Sequence, residues 1–537
     1  MDTMGFLNLP PEVQLLVLRF LDLPDLLQVR LICRTLSNAT YERTIWMWIL
    51  QEQERYLPLP PELLSAYRSE DEHLRAYSTS VIESTVTSAQ RTADAWSQPR
   101  SGVPTKIKRE GGEATLMGLD LFLDRWLVAL YFEGGVYLYD TYAAGQSSNS
   151  RLAQNTRRLP VVLRSSLSTE TSLWTSYSLQ LDCSCKILFL ALSQSTPLYE
   201  VQIYKVDLDL LASDSLQNGF RLIQTIHLPF SRNIYGIDTT QRMIALSGSG
   251  VVEVLKWEES FDPFPRSHER TVIKSYSEDL EGLWNGVIAI RFVGEYLLLF
   301  KTRTLEVHRY SSPDHPGICS EGLPFAILKH TFSMTFRNVS FSQATMSRNP
   351  VSEAETHELT VFAYDVIQGI FHYTIRIVVP LSTEMPPSLD VHLTGVYPLS
   401  VGIASTNIFV GQLPQEAMPS GTISSRGFLS THSLGLQGKR AVWVERKRSS
   451  TTREVHVWSR EKPLLEMDGP VQIERNVVYS SESYDLRGKC LSSQILDTDT
   501  LTDLIDSDDI THCTFGELNG RIFLGYRSGD ISFLDIN

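Results

Sequence analysis

"RWLVALYFEGGVYLYDT", residues 125–141, sets the reading of most of this chain. Two runs of β-branched, aliphatic and aromatic residues flank Gly134-Gly135, and a glycine pair between such runs marks a two-stranded hairpin. The unit recurs. "KILFLALSQSTPLYEVQIYKVDL" (186–208), "RMIALSGSGVVEVLKW" (242–257), "EYLLLFKTRTLEVHRY" (295–310), "ELTVFAYDVIQGIFHYTIRIVV" (358–379), "RAVWVERKRSSTTREVHVWS" (440–459) and "GRIFLGYRSGDISFLDI" (520–536) repeat it. The seven starts fall about 50 to 80 residues apart, which leaves room for two further strands in each unit.

A lone hairpin cannot cover both of its faces. A ring of such units covers every face and leaves no long sheet edge exposed. The spacing therefore predicts, for residues 114–537, a β-propeller of about seven four-stranded blades. Tandem β-sandwiches would also supply hairpins but would not favour even spacing. A propeller is usually closed by the ends of its chain, and this sequence ends in a hairpin strand, "DISFLDIN".

Ahead of the hairpins the period changes to that of a helix. In "LPPEVQLLVLRFLDLPDLL" (9–27), Pro10 and Pro11 suit a first helical turn, where a missing N–H costs little. At 100° per residue, Val13, Leu16, Val17, Phe20 and Leu21 form one stripe, and Leu15 and Leu18 fall on the opposite side. A second helix opens at "LPDLL" and places Leu26, Val29, Ile32, Cys33 and Leu36 on one face, with Leu27 and Leu31 on the other flank. A third segment, "YERTIWMWIL" (41–50), is apolar on nearly every side. About 40 residues rarely sustain a core alone. The helices therefore pack on the rest of the chain or form half of an intermolecular interface, and the residues leave both open.

The ordered spacing resembles that of an F-box: Leu9, Pro10 and Glu12, then Leu21, Asp25, Leu26 and Leu27, then Ile32, Cys33 and Arg34, and finally Trp46. Leu36 stands where the family often has Trp. F-box proteins bridge a Skp-type adaptor, and through it a cullin–RING ubiquitin ligase, to a protein substrate held by the rest of the chain. The resemblance implies an adaptor contact built from Leu9, Pro10, Val13, Leu26, Leu27, Leu31, Ile32 and Trp46, with Cys33 as small filler. The ending "VYLYDT" similarly resembles a WD-type blade. No Trp-Asp dipeptide occurs, so the propeller is WD-like and divergent. The expected architecture is α plus all-β and multidomain: a three-helix F-box over 5–50, a helical then Ser/Thr- and Pro/Gly-rich linker over 51–113, and the propeller.

Other functions find little support. A net charge of −14 and a pI near 5.4 argue against nucleic acid as a partner. Six cysteines without framework spacing suit reduced thiols in a cytoplasmic or nuclear protein, and Cys183 and Cys185 read as a turn. Neither a signal peptide nor an apolar run of about 18 residues is present, so no membrane partner is expected. No Gly-x-Ser-x-Gly, P-loop or His-Glu-x-x-His occurs, and His308, His372 and His456 lie within strand runs. No catalytic residue, metal or cofactor is therefore expected. The acidic run 497–509 reads as a solvated loop, and "ERKRSSTTRE" (445–454) as a hairpin tip. Arg and aromatic side chains near blade-entry loops are the usual peptide anchors, which singles out Arg232, Tyr235, Trp284, Arg291 and Arg337 for target binding. A scaffold outside any ligase and a propeller enzyme are the competing classes.

Overall fold

The computed structural model describes residues 6, 9–61, 63, 77–99, 104–107, 114–142, 161–168, 173–195, 198–212, 219–248, 251–259, 270–274, 285–310, 326–349, 354–381, 386–399, 427–447, 453–460, 491–496 and 509–536. Four short helices come first: α1 (Pro11–Leu18), α2 (Leu23–Val29), α3 (Arg34–Ala39) and α4 (Arg43–Glu54). Prolines occupy the first turns of α1 and α2, as the sequence predicts. The helix expected to run on to Leu36 is instead broken. α2 stops at Val29, and Cys33 adopts extended backbone (φ −157°) to start α3. Arg30 sits at the break and ties it to the end of α3 and to the later helix at Glu83. Its Nε donates to Thr40 Oγ1 at 3.0 Å, its Nη1 to Glu83 Oε1 at 2.6 Å, and its guanidinium lies 4.1 Å over the Tyr41 ring.

The Ser/Thr-rich stretch read as the start of a linker is a 19-residue helix, α5 (Thr79–Ser97). Its apolar positions, Ile82, Val86, Ala89 and Trp96, recur at helical spacing and are buried. Its hydroxyls bond back along the helix: Thr85 donates to Val81 O at 2.9 Å and Thr87 to Glu83 O at 2.7 Å. Such bonds satisfy side chains that otherwise disfavour helix interiors. Ile82, Val86 and Ala89 share one core with Leu18, Leu26, Trp46 and Leu50. At the far end of the helix Trp96 leaves that core and packs among Val442, Val455, Phe515 and Ile522.

Seven antiparallel sheets follow, and every hairpin quoted above forms the second and third strands of one of them. The blades span 116–168, 174–227, 233–274, 287–331, 336–398 and 427–495, and the seventh joins 105–107 to the strands of 510–535. Blade 5 carries a fifth strand, Thr345–Asn349, beside Ala354–Asp365. In blade 7 the outer strand is Thr105–Ile107, which pairs Thr105 with Phe533 and Ile107 with Ile531. The ring is thus closed by a strand delivered from α5. Strand direction gives it two faces. The lower carries turns between first and second strands, and the upper carries hairpin tips and blade-to-blade links.

Trp96 plugs the lower end of the seam between blades 6 and 7, its ring centroid 5.4 Å from that of Phe515. Gly520, at φ +73° in a turn of blade 7, makes the space: a Cβ there would lie 3.0 Å from Trp96 Nε1. Trp96→Ala is expected to cost about 3–5 kcal/mol, as other buried Trp truncations do. Urea unfolding followed by far-UV circular dichroism checks this.

Candidate functional site

α1 is too short and too apolar to be satisfied on one side. Leu15 and Leu18 face inward onto the helical core. Val13, Leu16 and Val17 are exposed on the other side, and Phe20 just beyond is 84 % exposed. The break between α2 and α3 adds Leu31 and Ile32, at 80 % and 69 % exposure. The buried Gln14 amide donates to Leu9 O at 2.8 Å and folds the entry segment onto α1. The result is an apolar face with no covering element among the described residues, and such patches mark interaction surfaces.

The residues implied in adaptor contact divide by position. Pro10, Val13, Leu31 and Ile32 are exposed, and Leu9 and Leu27 are half-buried at the edge. Leu26 and Trp46 are fully buried within the helical core, and Trp46 Nε1 donates to Thr40 O at 2.8 Å. They hold the helices together from inside. Leu16, Val17 and Phe20 belong with the exposed set. Helical periodicity found their stripe but could not say which stripe faced outward, because the core that the other stripe joins includes residues far along the chain, among them Ile82 and Val86.

Residues 6–52 match the family model described as F-box-like. The chain carries an F-box-like domain, followed by a seven-bladed propeller. Among solved structures, the propeller domain of Cps50 (Swd1) from Myceliophteria thermophila is similar at a TM-score of 0.43 and 11 % identity, covering 81 % of this chain and all of that one. Hsv2 from Kluyveromyces lactis follows at 0.36 and 8 %, covering 77 % and 91 %. No curated protein matches the sequence.

On the propeller, the predicted anchors are mostly engaged in the ring. Arg232 is buried, bonded to Glu253 Oε1 at 2.8 Å and Gly248 O at 2.7 Å. Tyr235 is half-buried, its hydroxyl 3.5 Å from Val287 O. Arg291, on the neighbouring blade, lies within electrostatic reach of Asp238; burial pushes the arginine down and the aspartate up. Arg337 is exposed, and Trp284 lies outside the described residues. Sequence reading missed an apolar arc on the upper face of blades 1 and 2. There Phe132, Leu173, Leu198, Tyr199 and Phe230 are exposed in turns, tied by Trp174 N to Phe132 O (3.1 Å) and Leu228 N to Tyr199 O (2.8 Å). Single apolar residues in turns carry no periodic signal.

Polar groups on the inner strands and beside them tie neighbouring blades. Tyr177 donates to Asp120 Oδ2 at 2.8 Å, Ser193 Oγ to Arg232 O at 2.7 Å, and Ser340 Oγ lies 2.9 Å from His432 Nδ1. Among the described residues no group of three His, Cys, Asp or Glu could hold a metal ion. No helix among them is long and apolar enough to cross a membrane. Burial pushes His432 down to about 4 and His372 to about 3. The unfolded chain therefore takes up protons first, so their contribution is complete above about pH 6.5 and is lost as pH falls from there toward 4 for His432 and toward 3 for His372. His432→Gln is expected to flatten that acid loss by up to about 1.4 kcal/mol per pH unit, read from melting temperatures between pH 7 and 4.5.

Proposed function

We propose that this chain is a target-recognition subunit of a Skp–cullin–F-box ubiquitin ligase, acting in the cytoplasm or nucleus. One observation carries the reading: the F-box-like helices complete their core with α5 yet leave Val13, Leu16, Val17, Phe20, Leu31 and Ile32 uncovered. An apolar face of this kind suits a Skp-type adaptor. The propeller's upper face, with its apolar arc, is the surface offered to a target protein. In this reading the chain performs no catalysis. It holds the target near a loaded conjugating enzyme, so the target's lysines meet the thioester at high effective concentration.

The exposed positions allow a test that spares the fold. Phe20→Glu combined with Leu31→Glu should weaken retention of purified Skp-type adaptor on the order of 100-fold, with the circular dichroism of the chain unchanged. Leu26→Glu should instead unfold the helical domain, because it buries a charge in the core. Equal adaptor retention by the double variant would overturn the reading. Adaptor binding without ubiquitin transfer to any captured protein in a reconstituted ligase would leave a scaffold.

A further inference from the structure

In blades 1 and 4 the residue just before the second strand pairs with the last residue of the third, whereas blade 3 places Arg242 opposite Lys256 and Lys186 of blade 2 reaches Asp209 instead. Arg125 stands there in blade 1 and pairs with Asp140, the last residue of the third strand, through Nε (2.9 Å) and Nη2 (2.8 Å). Blade 4 reverses the charges: Glu295 holds the position and accepts from Arg309 Nη2 at 2.8 Å. A backbone bond marks the position in each case. Thr141 N donates to Arg125 O at 2.9 Å, and Tyr310 N to Glu295 O at 3.4 Å. Arg460 N donates to Lys439 O at 2.8 Å, so Lys439 is the equivalent residue of blade 6. The partner position there is occupied by Ser459, which cannot form the ion pair.

Lys439 turns out of its blade instead. Its buried Nζ donates to the carbonyls of Glu54 and of Leu57, the latter at 2.8 Å. Glu54 ends α4. The last carbonyls of a helix lack intrahelical donors and carry partial negative charge, so an ammonium there both satisfies and neutralises them. Two residues away, Gln437 clamps the same segment: Leu59 N donates to its Oε1 at 3.0 Å, and its Nε2 donates to Leu59 O. The buried Glu517 of blade 7 shapes this turn by accepting from the backbone N–H of Gln437 (2.7 Å), Lys439 (2.9 Å) and Arg440 (3.2 Å). Gly435 admits that carboxylate, since a Cβ there would lie 2.3 Å from its carbon.

We propose that blade 6 uses this position as a docking site, where blades 1 and 4 use it for an internal ion pair, and that Lys439 is the positioning residue that orients the F-box-like domain on the ring. This goes beyond the ligase reading and holds whichever partner the domain takes. Three variants of the full chain separate the causes. Lys439→Met removes the helix cap. Ser459→Asp supplies a carboxylate at the place Asp140 has in blade 1 and draws Lys439 into its own blade. Ser459→Asn matches that size without the charge.

Pulsed electron paramagnetic resonance between spin labels carried on unnatural amino acids at Asn38 and Ser347 reads the result. Wild type and Ser459→Asn should give one narrow distance distribution. Lys439→Met and Ser459→Asp should broaden or shift it beyond its wild-type width, with the propeller's thermal transition retained. A broad distribution in wild type, or a narrow unshifted one in both charge variants, would overturn the proposal. Should Lys439→Met fail to fold, Ser459→Asp decides, because it leaves Lys439 in place.

Discussion

Everything in this molecule depends on how the ring is closed. Each blade is a sheet with two faces to cover, so an open arc of seven would leave apolar surface at both ends. The short strand Thr105–Ile107 closes the gap by pairing with the last strand of blade 7. That strand follows α5, whose Trp96 fills the seam between blades 6 and 7. The element that closes the ring is therefore continuous with the element on which the F-box-like helices pack. The two parts of the chain share a joint built from a plugged seam, a capped helix end and a buried carboxylate. Their relation is set by packing rather than by a tether.

The joint arranges the functional surfaces. Lys439, Gln437 and Glu517 lie in turns of the lower face, whereas the apolar arc around Phe132, Leu198 and Phe230 lies in hairpin tips and links of the upper face. The helices use one side of α1 for their own core and leave the other bare. One side of so short a helix thus meets an intramolecular packing demand, and the other is the face that the proposed function assigns to the adaptor.

Much of the fold is legible in the sequence because strand alternation and turn chemistry are local. All seven hairpins follow from runs such as "RWLVALYFEGGVYLYDT", whereas the closing strand Thr105–Ile107 lies in the stretch read as linker. The rest depends on contacts far apart in sequence. α5 hides its apolar stripe among Ser and Thr, whose hydroxyls bond to the helix backbone only once the helix has formed. At the break after Val29, Arg30 reaches Glu83 on α5, a partner no local pattern announces. Arg232 has the chemistry of a peptide anchor but is already held by Glu253 within its own blade. Leu26 and Trp46 belong to the family pattern, yet their place is inside the core, which a linear motif does not distinguish from the contact surface.

The central claim is that the bare face of the F-box-like domain, and not the propeller, takes the adaptor. Hydrogen exchange of the full chain, with and without purified Skp-type adaptor, tests it most directly. Protection confined to α1 and to residues 30–36, with the upper-face turns around Phe132, Leu198 and Phe230 unchanged, is the predicted result. Protection of those propeller turns with no change in α1 would contradict it.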